Sequence, residues 1–549
     1  MSEQSGQVFR TWPRPDGWSL GAALIAAIVL LPVVSVLWLA LHPAENIWPH
    51  LMATTLPRYL LNTLVLMAGV AVLTAAMGTG AAWLVVTYVF PCRAVLQWAL
   101  LLPLAVPAYV AAYALVDFLE YAGPVQTGLR AAFGWESAAE YPFPPIRTRG
   151  AAIIVLSGAL YPYVYLLARA AFREQSAAGI DVARALGVGP FGRFWRVGLP
   201  LARPAIAAGV AIVMMETAAD FGAVDHFAVQ TLTTGIFSVW MQAGNLGGAA
   251  QLSTVVLGLI VILVTLEKFS RRRLRHSGTG RGGFRPVVPV RLAGWRGWLA
   301  MLACLIPFAG GFLLPIGVLL GHSFNAAEWI EPGLARALIH SLGTGGIAAV
   351  LTVVLGVFMV YGTRLSGERL PLLLLPVTSI GYAAPGAVLG IGILIPLAAF
   401  DNALADLVDA VSGADPGLLL TGSTGALILA YVVRFFAIAQ GAADGALGRI
   451  PPSLPMASRS LGRTAGQTLR SVHVPLMRAS IGSALLLVFV DCVKELPATL
   501  ILRPFGYETL ATRVYAKARL EDITGAAPAA LTITLVGLVA VGFLARANR

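Results

Sequence analysis

The chain has 549 residues, 58% of them hydrophobic and only 12% charged, with a mean hydropathy of +0.80. Soluble domains average about 25% charged residues, so this composition excludes a water-soluble globular protein and calls for a polytopic membrane fold. The net charge of +12 does not mark a nucleic-acid binder, because the basic residues sit in short segments beside apolar runs, where cytoplasmic loops collect Lys and Arg.

A spanning helix needs about 20 apolar residues. Runs of that kind fall at 19–41, 60–86, 95–118, 150–171, 204–226, 247–267, 295–320, 338–362, 371–398, 418–440, 479–500 and 525–546, which predicts an all-α protein of about twelve transmembrane helices. The first run has no small-residue cleavage site after it, so a spanning helix is expected there rather than a cleaved signal. The third and ninth contain Pro103, Pro107, Pro376 and Pro385, which membrane helices tolerate where neighbours re-satisfy the backbone. Cys92, Cys304 and Cys492 are scattered and form neither a disulfide framework nor a metal cluster.

Basic loops set the expected orientation. Arg10 and Arg14 place the N-terminus inside, and the loops holding Arg93, Arg173, Arg193, Arg196, Arg449, Arg459 and Arg470 then also face in, as do Arg546 and Arg549. Residues 268–294 carry many basic residues, no acid and a Gly-rich stretch at 276–283, and are expected to form a flexible cytoplasmic linker. It separates two halves that repeat: residues 61–74 match 339–352, 101–112 match 374–385 (pairing Tyr109 with Tyr382), and 231–234 match 509–512. The expected division is a first module at 1–267, the linker, and a second module at 295–549, six spans each and therefore facing the same way.

The most informative repeat is polar. Asp181 to Pro200 recurs as Met456 to Pro475, and each copy lies between apolar runs within the loops 174–203 and 449–478. Gly187 and Gly462 suit left-handed helix caps, Pro190 suits a second helix start, and Thr464 suits an N-cap. Two short helices at an angle are predicted, ended by Leu199-Pro200. Phe191, Phe194 and Trp195 stand at helical spacing and would offer one apolar face, either to a partner's groove or to lipid headgroups. A charged loop kept twice between spans reads as a docking surface for a cytoplasmic partner.

These loops resemble the EAA loop of ATP-binding-cassette importer permeases: Asp181, Ala183, Gly187, Val197, Leu199 and Pro200 in the first copy, and Ala457, Gly462, Val472 and Pro475 in the second, where Met456 stands in place of the acid. With residues 161–172, 183–206 and 215–237, the chain is similar to fused, two-module permeases of ferric-iron uptake systems; fused thiamine permeases share the architecture. The resemblance implies two copies of a cytoplasmic ATPase subunit on the loops, with Phe194 and Trp195 among the contacts. It also implies a periplasmic binding protein outside, a bacterial inner-membrane location and no cofactor. The chain has only three lysines, Lys268, Lys494 and Lys517, and no phosphate-binding loop, so ATP would be hydrolysed by the partners and this subunit would not be an enzyme. A secondary transporter driven by an ion gradient would have no need of the paired loops.

Glu216 and Asp220 stand four apart in the fifth span, and Asp491 and Glu495 hold the same places in the eleventh. At 1.5 Å per residue from the cytoplasmic end, Glu216 would lie roughly 18 Å deep and Asp220 about 24 Å. Carboxylates at that depth are costly unless they face water or a partner. They either border the translocation path, where hard oxygens suit a ferric ion, or brace helices, for example with Lys494 or a loop. Tyr109 and Tyr382 join the path candidates, although packing suits tyrosines in Pro-broken helices as well. His226 is expected at the outer surface, and no firmly bound metal is expected.

Overall fold

The computed structural model describes residues 17–175, 177–272, 288–324, 326–366, 374, 375, 378, 384–413 and 416–547. Among them the backbone is almost wholly helical; the strand pairing is a two-residue parallel bridge between Tyr88–Val89 and Val290–Arg291. Eleven described helices are long and apolar enough to cross a membrane, twelve if one bent pair is counted.

The first half comprises α1 Gly17–Leu41, α2 Leu56–Thr87, α3 Arg93–Ala99, α4 Ala108–Leu119, α5 Arg149–Arg173, α6 Ala177–Ala185, α7 Pro190–Ala219, α8 Gly222–His226, α9 Leu232–Phe237 and α10 Leu246–Arg272. The second comprises α11 Trp295–His322, α12 Pro332–Ser366, α13 Gly386–Ser412, α14 Thr424–Gly448, α15 Ser453–Ser460, α16 Ala465–Lys494, α17 Pro497–Leu502, α18 Leu510–Arg519 and α19 Ile523–Ala547. In the first half α2, α5 and α7 pack on one another, and in the second α12, α14 and α16 do the same.

The halves are interlocked. α1 packs on α10 of its own half and also lies along α12 and α13 of the other, while α11 lies against α4 and α5 as well as α19. Small residues allow the close crossings: a Cβ on Gly392 would collide with the main chain of Pro32, and one on Gly311 with the main chain of Gly158.

Side chains at matched positions make matched bonds. The Thr63 hydroxyl accepts from the Leu232 amide (3.1 Å), and at the matched place in the second half the Ser341 hydroxyl accepts from the Leu510 amide (2.7 Å). Thr231 and Thr509, heading the repeated TLTT and TLAT segments, each build a capping box with the threonine three residues later. Each box satisfies orphan amides at the start of α9 or α18.

Several predicted spans differ from the structure. The third is bent by 95° rather than straight. Pro107 lacks an N–H and forces Val106 into extended geometry (φ −93°, ψ 119°), so the helix stops and restarts at Ala108. The ninth begins later than expected: α13 starts after Pro385 and runs on to Ser412, while Pro376 and Tyr382 lie outside the described residues. Pro107 and Pro385 both precede a helix in the same extended conformation, with Tyr109 and Ala387 each two residues further on. The fifth and eleventh spans break early, α7 ending at Ala219 and α16 at Lys494.

Candidate functional site

Both polar loops have the same backbone. In the first, α6 ends at Gly187 (φ +74°), with Val188 donating to the Ala183 carbonyl at 2.9 Å; in the second, α15 ends at Gly462 (φ +82°), with Arg463 donating to Ser458 at 3.3 Å. Both left-handed glycines therefore stand where the sequence expected caps. Thr464 caps the next helix in a box with Gln467. The expected separate second helix is not seen. It continues through a π-turn at Phe194–Gly198, or Leu469–His473, into the following span. The wider turn accommodates Pro200 and Pro475, which have no N–H for an ordinary helical bond.

The roots of the loops also correspond. Trp83 of α2 packs its ring on Phe194 (5.4 Å between centroids) and against Gly198, whose carbonyl accepts from buried Gln175 at 3.0 Å. Tyr361 of α12 holds the matched place; its ring meets His473 at 5.1 Å and its hydroxyl donates to the Ala465 carbonyl at 2.8 Å. Ala183 and Ser458 are buried, whereas Asp181, Met456 and Ala457 are exposed. Leu199, Pro200 and Val472 are half-buried and Pro475 is exposed. The expected common face of three aromatics is thus divided. Phe191 and Trp195 stay 76% and 52% exposed, while the ring of half-buried Phe194 packs on Trp83 of α2.

Deeper in the bundle, the two broken spans meet at a cavity of about 170 Å³. Glu216, Asp220, Asp491 and Glu495 all line it, with Tyr109. Asp220 and Glu495 sit at the breaks: Asp220 Oδ1 accepts from the amides of Ala223 and Val224 (both 3.1 Å), and Glu495 Oε1 accepts from Ala498 (3.1 Å). Each carboxylate thus caps the half-helix beyond it, a favourable placement for negative charge. Gly222 keeps this junction tight, because a Cβ there would lie 2.7 Å from that of Tyr109. Tyr109 itself is buried, and its hydroxyl reaches no partner among the described residues.

The cavity is symmetric in position and asymmetric in charge. Arg434 and Lys494 line it from the second half, whereas Ala159 and Ala219 occupy the matched places in the first. Arg434 Nε lies 3.6 Å from Glu495 Oε1, and Lys494 Nζ lies 3.1 Å from Asp491 Oδ1. Asp220, Asp491 and Glu495 thus each have a bonding partner while lining the cavity. Arg434 was missed by sequence reasoning, yet it is the lone charge in the run 418–440, which is itself a signal. His226 lies on the short helix α8 beyond the break at Asp220. It is half-buried, with its ring edge-on to Tyr113 at 4.5 Å. Among the described residues no three His, Cys, Asp or Glu converge as a metal site.

Comparison with known proteins places these features in context. Residues 73–276 match the family described as binding-protein-dependent transport system inner membrane component. The chain is 25% identical to the Fe(3+)-transport system permease protein FbpB 2 of Haemophilus influenzae over 499 residues, 88% of each chain. It is 25% identical to the ferric transport system permease protein FbpB of Actinobacillus pleuropneumoniae over 77% of this chain and 61% of that one. It is 30% identical to the molybdenum transport system permease protein ModB of Escherichia coli over 206 residues, 36% of this chain and 84% of that one.

Proposed function

Because the chain belongs to the family of binding-protein-dependent transport system inner membrane components, we propose that it is the permease of an ATP-binding-cassette importer that carries ferric iron into the cell. On this reading 1–267 and 295–549 are two permease modules joined by the linker 268–294. Both termini and both loops face the cytoplasm of a bacterial inner membrane.

The observation that carries the proposal is the pair of loops with one backbone, each rooted on an aromatic of α2 or α12 and each running without interruption into a span that ends at a cavity carboxylate. A push on α6 or α15 reaches the cavity through α7 or α16 as rigid helices. Two copies of a separate ATPase subunit, closing on ATP, would supply that push through Asp181, Gly187, Phe191, Trp195, Ala457 and Gly462. A periplasmic binding protein would deliver the cargo outside. Alternating access then follows from one two-state bundle biased from both faces. The cargo assignment is supported by the ferric-transport names of two relatives spanning most of this chain, and by the cavity's four carboxylates against two cations. Hard oxygen donors suit a ferric ion.

The test is reconstitution of the chain with its ATPase and binding protein in liposomes. ATP-dependent uptake of radiolabelled iron, undiminished by excess thiamine and abolished by scrambling both loops, is expected. Uptake of iron that persists without ATPase subunits would overturn the reading in favour of a secondary transporter.

A further inference from the structure

A second polar cavity, of about 220 Å³, lies at the loop end of α5 and is lined by Arg93, Gln97, Arg169 and Arg173, with Val86 and Pro289 beside them. Three arginines here share no acid: none of them has a carboxylate oxygen within ion-pair distance among the described residues, and residues 273–287 contain no Asp or Glu. Arg169 is only 8% exposed. Its guanidinium lies 4.8 Å from the Trp98 ring centre and makes one long bond, 3.4 Å, to Gln97 Oε1. Arg93 is pinned by Nε donating to the Val85 carbonyl at 2.7 Å, which leaves its terminal nitrogens for the cavity. Gln97 is fixed in turn, because its carbonyl accepts from the Tyr165 hydroxyl at 2.9 Å. Burying a guanidinium beside two others without an anion is costly.

The other half of the chain supplies the control. Asp444 stands as far before Gly462 as Arg169 does before Gly187, and Arg364 follows Tyr361 as Val86 follows Trp83. Asp444 and Arg364 pair at 2.7 Å. The second corner is neutralised from within, whereas the first is left with arginine donors converging on a cavity. Basic pockets between spans at the cytoplasmic side hold phosphate-bearing headgroups, and guanidinium forks match phosphate oxygens.

We propose that the corner formed by Arg93, Arg169 and Arg173 binds a phosphate group, as the headgroup of an anionic phospholipid or as a free phosphate. The site is independent of the transport reading. It lies beside the root of the first loop, since α6 follows α5 within four residues.

The full-length chain in nanodiscs tests it in two arms. Native mass spectrometry compares retention of phosphatidylglycerol with phosphatidylcholine, and thermal midpoints in phosphatidylcholine alone compare phosphate with chloride at equal ionic strength. We expect selective retention of phosphatidylglycerol if the source is lipid, or a rise in midpoint with inorganic phosphate if it is the free ion. Charge-assisted bonds of this strength imply about tenfold weaker binding or more for R93Q/R173Q, with R93K/R173K intermediate and R364Q/D444N, at the other corner, unchanged. The wild-type chain alone decides whether the site exists: no lipid preference and no phosphate effect overturns the proposal. Equal binding by wild type and R93Q/R173Q overturns the location.

Discussion

Lys494 donates its ammonium to the main-chain carbonyl of Leu104 at 3.3 Å, far away in the sequence, while holding Asp491 at 3.1 Å. One side chain thereby ties the second broken span to the bend of the first half's third span, across the cavity. Lys494→Met keeps the stem and removes both bonds. Loss of charged hydrogen bonds that are largely shielded from water is expected to cost about 1–3 kcal/mol, read as a lower thermal midpoint in detergent. Adding Asp491→Asn should recover part of that loss, because the carboxylate no longer needs a partner.

Gly187 and Gly462 hold φ of +74° and +82°, with open space around the position of a Cβ. Substitution by valine therefore acts through the backbone alone, since a β-branched residue disfavours the left-handed region by roughly 1–2 kcal/mol. Each substitution is expected to leave insertion intact and to reduce co-purification of the ATPase subunit several-fold, with the double variant worse than either. Normal co-purification of the double variant would remove the caps from the coupling scheme.

Composition and the polar repeats made much of this legible. Apolar runs marked the spans, and Gly187, Gly462 and Thr464 marked the turns, because caps and left-handed positions are decided within a few residues. The breaks at Asp220 and Glu495 were not legible, since hydropathy reads the same whether an apolar run is one helix or two. Nor was the packing of α1 and α11 across both halves, which depends on contacts such as Gly392 with Pro32, far apart in sequence. The contact of Phe194 with Trp83 was not legible either, since helical spacing sets it beside Phe191 and Trp195 and says nothing of a ring on another helix.

That division of the aromatics separates two substitutions. Phe194→Ala empties a half-buried contact with Trp83 and should destabilise the chain by about 1–3 kcal/mol, below the range for fully buried rings. Phe191→Ala removes a ring that is 76% exposed, so the thermal midpoint of the isolated chain should hold while ATPase co-purification falls. Equal effects of the two on stability would contradict the packing described.

Glu331, just before α12, and Glu508 both pair with Arg513 of α18. The hydrogen bond from Arg513 holds the Glu331 carboxyl below its ordinary value of 4.5. A depressed carboxylate contributes stability that is fully present above its unfolded value and lost as pH falls through the folded one. The wild-type chain should therefore melt above Glu331→Gln at neutral pH, and the gap should close as the pH drops below about 4.5. A gap independent of pH would assign the effect to packing instead.

Glu216 and Asp491 occupy matched positions on the cavity, but only the second half places a lysine beside its acid, Ala219 standing where Lys494 does. The two carboxylates should accordingly differ. Glu216→Gln withdraws negative charge that no lysine in its own half offsets, and is expected to lower iron uptake by the reconstituted complex about tenfold, a loss of about 1.4 kcal/mol, with ATPase activity retained. Asp491→Gln leaves Lys494 without its acid and should lower the thermal midpoint as well as uptake. In the double variant the cavity lining changes from four carboxylates against two cations to two against two. If that variant assembles normally and still transports iron at the wild-type rate, these carboxylates have no part in passing the cargo.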